Sequence, residues 1–260
     1  FPSLALGEEV TMDDLVERAG IYYKKFTDVP FTGKTAGEEQ GNFKKGKRHG
    51  PFVAYYPNGQ LFGKNNWKDG VMAGPFVLYW INGQLQSRGF IKDGRSEGLH
   101  VVYYENGQLD RKGNFKNGEE DGPWVFYHDS GELQKNGEFK NGEEDGPWEY
   151  YYYYDHGQLE RKDNYENGVL VSEVQFFYHP NGELKSKRTF KDGMLDGPYE
   201  VYDENGQLGG KGNFKNGELD GNWVHYWDNG QLVEEGTYKN GKKEGPWVYY
   251  WENGQLSRKG

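Results

Sequence analysis

Short runs of alternating apolar and polar residues fill most of the chain, and glycine-containing turns separate them. The run 109–116 reads Leu-Asp-Arg-Lys-Gly-Asn-Phe-Lys, in which Leu109, Gly113 and Phe115 share one parity and therefore one face of a strand. Asn-Gly and Asp-Gly pairs, the strongest short signal for a β-hairpin, stand between such runs. The pattern predicts successive hairpins, in which the mid-strand glycine leaves room for an aromatic ring of the neighbouring strand.

The hairpin pattern recurs at a nearly constant period. The glycine of the motif Asn-Gly-Gln/Glu-Leu, or of a near variant, advances by 24, 24, 24, 26, 25, 24, 24 and 24 residues. Another glycine series, four residues after each Lys-Asn/Asp-Gly pair, reads as turn glycines, with Ser172 as the exception. Self-similarity at one period indicates a repeat architecture. We therefore expect nine units of about 24 residues over residues 41–260 that continue one antiparallel meander.

These units resemble the bacterial variant form of the MORN-repeat family. The likeness is carried by units such as 113–124, which reads Gly-Asn-Phe-Lys-Asn-Gly-Glu-Glu-Asp-Gly-Pro-Trp, followed by Tyr127 and by Ser-Gly-Glu-Leu at 130–133. The resemblance implies an all-β fold, an elongated single-sheet antiparallel β-hairpin repeat solenoid (MORN-like) with a small N-terminal cap. For function it implies a scaffold, a dimerisation platform or a targeting module, and bacterial relatives are often labelled antitoxin-like.

The first forty residues depart from this period. Residues 1–7, Phe-Pro-Ser-Leu-Ala-Leu-Gly, look like the remnant of a secretory signal peptide, which predicts an exported protein (periplasmic, outer-envelope or secreted); a disordered end is the alternative. Residues 8–40 are expected to form an N-terminal cap over the first sheet edge, with a separate functional module as the alternative. Within the cap we expect one or two helical turns over 11–18, with Thr11 as N-cap, and a hairpin of 21–26 with 31–34.

Composition narrows the classes of partner. Only 34% of the residues are apolar and the mean hydropathy is −1.04, yet 17% are aromatic, so order must come from ring stacking in a thin structure. The net charge of −10 argues against nucleic acid and makes contact with an anionic membrane unlikely, because both reward Lys and Arg. The chain has no cysteine, which excludes thiol catalysis and disulfides.

The residue pattern predicts no catalytic residue, no metal site and no cofactor. The six histidines show no metal-ligand spacing, and the carboxylates recur with the repeat, as in 119–121 and 143–145. A repeated acidic turn is typical of a solvated edge; a weak calcium site along the stacked turns is the alternative. The basic segment 44–49 is interpreted as edge protection, with an anionic-lipid site as the alternative.

The period is irregular around residues 148–182. The spacing there expands by two residues and then by one, which predicts a bulge and a structural kink. The alternative is a surface that binds a protein partner, because exposed tyrosines are enriched in interfaces. The predicted partner-binding residues are Tyr150, Tyr152, Tyr154, Phe176 and Tyr178.

The last segment, Leu256, Ser257 and Arg258 onward, is predicted to be an open strand edge that supports a weak homodimer. Taken together, the sequence favours a non-enzymatic protein-binding or scaffolding repeat protein of the bacterial cell envelope or exterior, whose protein partner it does not identify. An antitoxin-like or immunity protein that neutralises a specific effector, and an envelope carbohydrate-binding module, are the alternatives.

Overall fold

The structure, a computed structural model, describes residues 10–152 and 157–260. The protein divides into two compact units, residues 1–132 and 133–260. The signal-peptide prediction for residues 1–7 and the predicted site residue Tyr154 lie outside the described residues. The described part is almost entirely β-strand, with one 3₁₀ turn at Met12–Asp14. None of its helical segments has the length and apolar character needed to cross a membrane.

The first unit consists of the N-terminal segment followed by consecutive antiparallel hairpins. Its strands are β1 Val10–Thr11, β2 Leu15–Arg18, β3 Ile21–Lys24, β4 Gly33–Ala36, β5 Glu39–Lys44, β6 Lys47–Tyr55, β7 Leu61–Lys68, β8 Val71–Met72, β9 Gly74–Tyr79, β10 Leu85–Lys92, β11 Arg95–Ser96, β12 Gly98–Tyr103, β13 Leu109–Lys116 and β14 Glu119–Tyr127.

The second unit continues the same pattern of antiparallel neighbours. Its strands are β15 Leu133–Lys140, β16 Glu143–Tyr151, β17 Leu159–Glu166, β18 Val169–Tyr178, β19 Leu184–Lys191, β20 Met194–Tyr202, β21 Leu208–Lys215, β22 Glu218–Leu219, β23 Gly221–Tyr226, β24 Leu232–Lys239, β25 Lys242–Tyr250 and β26 Leu256–Lys259. The predicted all-β hairpin-repeat fold is confirmed.

The Asn-Gly and Asp-Gly pairs form the hairpin turns, as the sequence predicts. Asn117 has φ +55° and the following Gly118 has φ +95°, so both central residues are left-handed, as a type I′ turn requires. Asn and Asp tolerate this conformation better than other residues with a Cβ. The same positive φ before glycine recurs at Lys45, Asp69, Asp93, Asn141, Asn167, Asp192, Asn216 and Asn240.

The glycines four residues later do not form turns, so that prediction is wrong. Asp121 lies opposite Asn114 while Trp124 lies opposite Gly113, which leaves two extra residues in β14. Gly122, at φ +77°, begins this β-bulge. A bulge that starts with a left-handed residue selects glycine.

The prediction for the mid-strand glycines is confirmed. A Cβ added to Gly89 would lie 2.5 Å from the His100 ring, and one added to Gly212 would lie 2.5 Å from the Trp223 ring. A side chain would likewise overlap a ring in four other pairs, Gly41 with Phe52, Gly113 with Trp124, Gly137 with Trp148 and Gly236 with Trp247. Glycine at this position therefore lets the ring of the next strand lie flat on the backbone.

The N-terminal segment differs in part from its prediction. Thr11 caps the 3₁₀ turn, and its backbone N–H donates to Asp14 Oδ2 at 2.8 Å, which lowers the pKa of that carboxyl. The predicted helix goes no further, because β2 begins at Leu15. The predicted hairpin of 21–26 with 31–34 is present only as one antiparallel bridge, between Tyr23 and Pro30. The main partner of β3 is β2, across the left-handed pair Ala19 and Gly20, which lacks the Asn or Asp signal.

The cap packs on the first hairpin. β4 pairs with β5, and the two-residue strand β1 runs parallel to β4. The cap therefore adds two short strands to the first edge of the sheet. Leu15 is buried together with Phe43 and Phe52. Tyr22 contacts Phe43 edge to face, with 5.1 Å between the ring centroids. The cap and the first hairpin therefore share one apolar cluster.

Side chains at the loop ends link each repeat to the next. Asn82 Nδ2 donates to the carbonyl of Glu105 at 2.7 Å, and Asn106 Nδ2 donates to that of Asp129 at 2.6 Å. The Tyr56 hydroxyl reaches the Tyr79 carbonyl at 2.9 Å. Because each bond spans 23 residues, it joins nearest neighbours only, as expected of a solenoid.

The recurring acidic residues have a structural role at the opposite loop edge. One carboxylate of a repeat accepts a hydrogen bond from the backbone N–H of the next type I′ turn. The pairs are Glu97 with Asn117, Asp145 with Asn167, Asp196 with Asn216 and Asp220 with Asn240. In the described residues no three His, Asp or Glu side chains are grouped as a metal site would require.

Candidate functional site

The second unit carries a row of aromatic rings on one sheet face, here called the aromatic face. The rings alternate between neighbouring strands: Tyr199 contacts Phe214 at 5.3 Å and stacks with Trp223 at 6.4 Å, and Tyr238 contacts Trp247 at 5.0 Å between centroids. Trp247 is buried, whereas the other four rings are half-buried. Each strand contributes alternate residues to the face, so the ring row follows from the period-two pattern.

Cationic side chains lie over these rings. Lys135 Nζ is 4.7 Å from the centroid of Trp148, and Arg161 is 4.1 Å from that of Tyr150. Most of these cations are also paired with a carboxylate. The pairs are Lys135 with Glu144 (3.2 Å), Arg161 with Asp163 (3.1 Å) and Lys243 with Glu234 (2.9 Å).

The cations shift the titration of the tyrosines beside them. Hydrogen bonds from Lys243 and Arg258 lower the pKa of Tyr249, because both cations favour the phenolate. Burial opposes the charge on Lys243, but its bonds to Glu234 and Tyr249 outweigh that effect and raise its pKa. Lys243 therefore stays protonated at neutral pH.

The irregular segment of the repeat divides into a longer loop and a longer strand. The two-residue expansion falls between the end of β16 at Tyr151 and the start of β17 at Leu159. The one-residue expansion falls in β18, which has ten residues where β14 has nine. The bulge of β18, between Leu170 and Ser172, has one extra residue where that of β14 has two, and it uses no left-handed residue. The prediction that both expansions form strand bulges is therefore wrong: the first lies between two strands, and the second lengthens β18 without enlarging its bulge.

The shifted register removes the ring from its usual place. Glu173, not an aromatic residue, lies opposite position 163, and Gln175 lies opposite position 188. Position 163 then no longer requires glycine, and the chain has Asp163 there. Position 188 carries Arg188 although Tyr199 lies opposite it on the following strand.

Asp163 is buried, with 2% of its surface exposed. Its Oδ2 lies 3.1 Å from Arg161 Nε and accepts a bond from the Tyr165 hydroxyl at 3.3 Å, while its Oδ1 has no partner among the described atoms. Burial raises the pKa of Asp163, and Arg161 offsets part of that rise. Burial of the Asp163 carboxylate therefore lowers the stability of the folded protein.

Arg188 lines a cavity of about 610 Å³ at the end of β18, here called the Arg188 pocket. Its lining residues are Tyr152, Gln158, Phe177, Tyr178, His179, Pro180, Asn181, Gly182, Lys185 and Arg188. None of them is acidic. The Arg188 guanidinium lies 4.3 Å from the Phe177 centroid, and Tyr152 and Tyr178 meet at 6.4 Å and 81°.

Two polar side chains of the pocket form hydrogen bonds with other described residues, and Arg188 does not. Tyr178 donates its hydroxyl to the Leu159 carbonyl at 2.8 Å, and burial raises its pKa, with a further contribution from Tyr152, so it stays a neutral donor. His179 Nε2 donates to the Tyr202 carbonyl at 2.9 Å. Arg188, by contrast, forms no hydrogen bond or ion pair with a described residue, and its Nε is buried.

The structure brings only some of the predicted partner-binding residues together. Tyr152 and Tyr178 share the Arg188 pocket. Tyr150 lies on the aromatic face beneath Arg161, and its hydroxyl is 3.4 Å from that of Tyr165. Phe176 pairs with Lys187, one residue out of phase with Phe177, and so lies on the opposite face. The predicted set does not form one surface, and its role in binding remains a prediction.

The predicted dimer edge is exposed. β26 pairs with β25, and Leu256, Ser257 and Arg258 are all exposed. Arg258 lies 4.2 Å from the centroid of Tyr249. Its role in self-association also remains a prediction.

Sequence reasoning missed the basic residues of the pocket. The residue pattern does not distinguish Arg188 from the other basic residues of the second strand of each unit, and His179 has no metal-ligand spacing. The usable signal was the loss of glycine at 163, because Glu173 takes the place of the usual ring opposite that position.

Comparison with known families agrees with the hairpin geometry. The model of the MORN repeat variant matches residues 48–69, 96–117, 120–141, 144–167, 174–192, 195–216, 219–240 and 243–260. The chain belongs to the MORN repeat variant family. Membership confirms the resemblance expected from the sequence, and the MORN repeats indicate a binding or scaffold role.

Solved structures add only distant likenesses to this MORN repeat protein. TcdB2-TccC3-TEV matches at 14% identity with a TM-score of 0.27, over 85% of this chain and 13% of that one. The Tc holotoxin pore of Photorhabdus luminescens matches at 13% identity and 0.24, over 83% and 13%. A porin-like protein from Bacteroides uniformis matches at 8% identity and 0.22, over 90% and 89%. No curated protein matches, and no functional conclusion follows from these structures.

Proposed function

We propose that this protein is a non-enzymatic binding scaffold of the bacterial cell envelope or exterior, and that a protein partner docks on the aromatic face of its second unit. The observation that carries the proposal is the row of half-buried rings formed by Tyr199, Phe214, Trp223, Tyr238 and Tyr249. Among the described residues of this unit, no second layer covers the face.

The composition of the face suits a protein interface. Tyr, Trp and Arg are the residues that carry most binding energy in protein complexes, and aromatic rings bury a large area at a small loss of side-chain entropy. The cations over the rings add specificity, because Arg161 and Lys243 are held against aromatic rings and paired with carboxylates.

The non-enzymatic part of the proposal is supported by the use of the carboxylates. Glu97, Asp145, Asp196 and Asp220 accept backbone hydrogen bonds at the turns, so these four recurring carboxylates have a structural role. Export is proposed from the residue pattern of 1–7.

Site-specific crosslinking tests the docking face. His225 and Lys211 are both exposed and lie on neighbouring strands, opposite Gly210 and Val224 respectively, so they point to opposite faces of one sheet. The photo-reactive residue p-benzoylphenylalanine is placed at one position or the other in the native host, and envelope and cytosolic fractions are compared.

We expect a protein adduct of one discrete mass at position 225, in the envelope or secreted fraction, and at least tenfold less at position 211. Equal adducts at the two positions, or adducts in the cytosol alone, would contradict the docking face or the location, respectively.

A further inference from the structure

We propose that the Arg188 pocket binds a carboxylate group of the protein partner, either an acidic side chain or the partner's C-terminal carboxylate. This inference rests on the proposed function for the source of the ligand, whereas the chemistry of the pocket stands on its own observations.

The first observation is that no carboxylate of a described residue pairs with Arg188, unlike four other cations that lie over rings. Arg48, Lys135, Arg161 and Lys243 also lie over aromatic rings, and each is within 3.2 Å of a carboxylate oxygen. Arg188 has Gln175 and Tyr199 as its cross-strand neighbours, and neither is acidic. Its Nε has no acceptor among the described atoms and is shielded from solvent, so a ligand can reach only the terminal nitrogens. A half-buried guanidinium without acceptors is costly unless a ligand supplies them.

The second observation is the position of the guanidinium. Its Cζ lies 4.3 Å from the centroid of Phe177, so the ring covers one side of the group. A planar N–H fork matches the two oxygens of a carboxylate. Phe177 also restricts the Arg188 rotamers, which lowers the entropy cost of forming that pair.

The third observation is the charge of the lining. Lys185 adds a second cation, and no acidic side chain among the described residues lines the pocket, although the chain has 41 acidic and 31 basic residues. The remaining donors are committed, because Asn181 Nδ2 bonds the Glu204 carbonyl and Gln158 Nε2 bonds the Gly182 carbonyl. The pocket therefore offers a ligand the guanidinium of Arg188 and the ammonium group of Lys185.

This donor set fits a carboxylate better than a phosphate. Phosphate sites use several free backbone N–H groups. Here the N–H of Gly182 donates to the His179 carbonyl, that of His179 donates to Glu183, and that of Tyr152 donates to Gln158.

The ring geometry fits a peptide better than a sugar. Tyr152 and Tyr178 meet at 81°, so they do not offer two coplanar faces on which successive pyranose rings could stack. Their perpendicular arrangement forms a corner that accepts the alkyl part of a side chain. The cavity of about 610 Å³ lies within the common range for pockets that bury a small ligand.

The test uses three labelled hexapeptides and the full-length protein. The first peptide has blocked ends and one central glutamate, the second replaces that glutamate by glutamine, and the third keeps the glutamine but has a free C-terminus. Binding is measured by fluorescence anisotropy and by the NMR shift of the Arg188 Nε–H. Variants are Arg188→Gln, Lys185→Gln and, as a matched control, Arg258→Gln, which removes an arginine stacked on Tyr249 outside the pocket.

We expect the glutamate peptide, the free C-terminus or both to bind at least tenfold more tightly than the blocked glutamine peptide and to shift Arg188 Nε–H; the stronger of the two identifies the source. Arg188→Gln weakens binding at least tenfold, Lys185→Gln about threefold, and Arg258→Gln leaves it unchanged. Lys185 is an exposed residue, so its variant keeps the test valid if Arg188→Gln does not fold.

The proposal is overturned if the glutamine peptide binds as well as the others, if Arg258→Gln weakens binding as much as Arg188→Gln, or if inorganic phosphate or an oligogalacturonate displaces the peptide at lower concentration than acetylglutamate does. Failure here with a normal crosslink at position 225 rejects the pocket alone. Peptide binding without that crosslink rejects the docking face alone.

Discussion

Gly212 lies directly beneath the indole ring of Trp223, on the neighbouring strand. A Cβ at Gly212 would be 2.5 Å from Trp223 Cε3, closer than van der Waals contact allows. Because the same pairing recurs in most repeats, the ring-on-glycine contact is the repeated packing unit of this single-layer structure.

Gly212→Ala is therefore expected to destabilise the protein by about 1–3 kcal/mol, the usual cost of overpacking a tight contact. Gly209, in the same strand, is a matched control, because its nearest atoms to an added Cβ are 3.8 Å away and its φ is not left-handed. Gly209→Ala should be neutral or stabilise by up to about 1 kcal/mol through the unfolded state.

Urea unfolding of the two variants and the wild-type protein measures both effects. Equal stabilities of Gly212→Ala and Gly209→Ala would show that Trp223 can move aside and that ring packing on glycine does not hold the repeats together.

The repeat and its turns were predictable because they depend on local chemistry. The left-handed Asn117-Gly118 turn and the glycine under Trp124 both follow from the period-two pattern and from what only glycine permits. The bulge at Gly122 is not distinguishable from a turn in the sequence, because both features select glycine. Pairing of β3 with β2 was not predictable because Ala19 adopts a left-handed conformation that its side chain does not favour.

The Arg188 pocket could not be predicted in the same way. The pocket depends on a shift of one residue in the pairing register of β18. This shift moves the side chains of β18 to the other face of the sheet and places Gln175 opposite Arg188. The sequence shows that a residue is inserted but not where the strand absorbs it. The position of a charge relative to its counter-charge is decided by that register.

Asp163→Asn is predicted to stabilise the protein at neutral pH and to change the pH dependence of unfolding. Burial raises the pKa of Asp163 in the folded state, so the folded protein binds this proton more tightly than the unfolded chain. The contribution of Asp163 to the free energy of unfolding therefore falls as pH rises from about 4, the ordinary Asp value, through the raised pKa. The gain from Asp163→Asn should grow over that window, measured by urea unfolding from pH 4 to 7.

Asp220→Asn supplies a control of opposite sign. Burial opposes the charge on Asp220, but the N–H of Asn240 and the Lys239 ammonium outweigh it and lower its pKa. Its stabilising effect is present above the ordinary Asp pKa and is lost as pH falls through the lowered value. Asp220→Asn should therefore destabilise at pH 7 and approach wild type in acid. The same pH trend in both variants would contradict these pKa directions.

Removal of one whole repeat, residues 217–240, is predicted to leave a folded β-protein. The deletion joins Asn216 to Gly241 and so rebuilds an Asn-Gly turn, and hydrogen bonds between repeats reach nearest neighbours only. Circular dichroism should keep its β signal, and the urea m-value should fall because less surface is exposed on unfolding. Removal of 217–228 alone should unfold the second unit, and equal loss of structure in both deletions would reject modular stacking.

The dimer hypothesis for β26 predicts a mass that rises with protein concentration and with salt. Arg258 and Lys259 repel a second copy of the edge, and salt screens that repulsion. Lys259→Gln should strengthen association at low salt in sedimentation equilibrium. A monomeric mass across the whole concentration and salt range would end the hypothesis.

The most direct test of the central claim, that one partner occupies the aromatic face and the Arg188 pocket together, is the crosslink yield at position 225 in proteins that also carry Arg188→Gln or Arg258→Gln. β19 and β23 are separated by three strand spacings, about 14 Å at about 4.8 Å each, well within one standard interface of about 800 Å² per partner. We predict at least a tenfold lower yield with Arg188→Gln and an unchanged yield with Arg258→Gln. Equal yields in the two variants would contradict the claim.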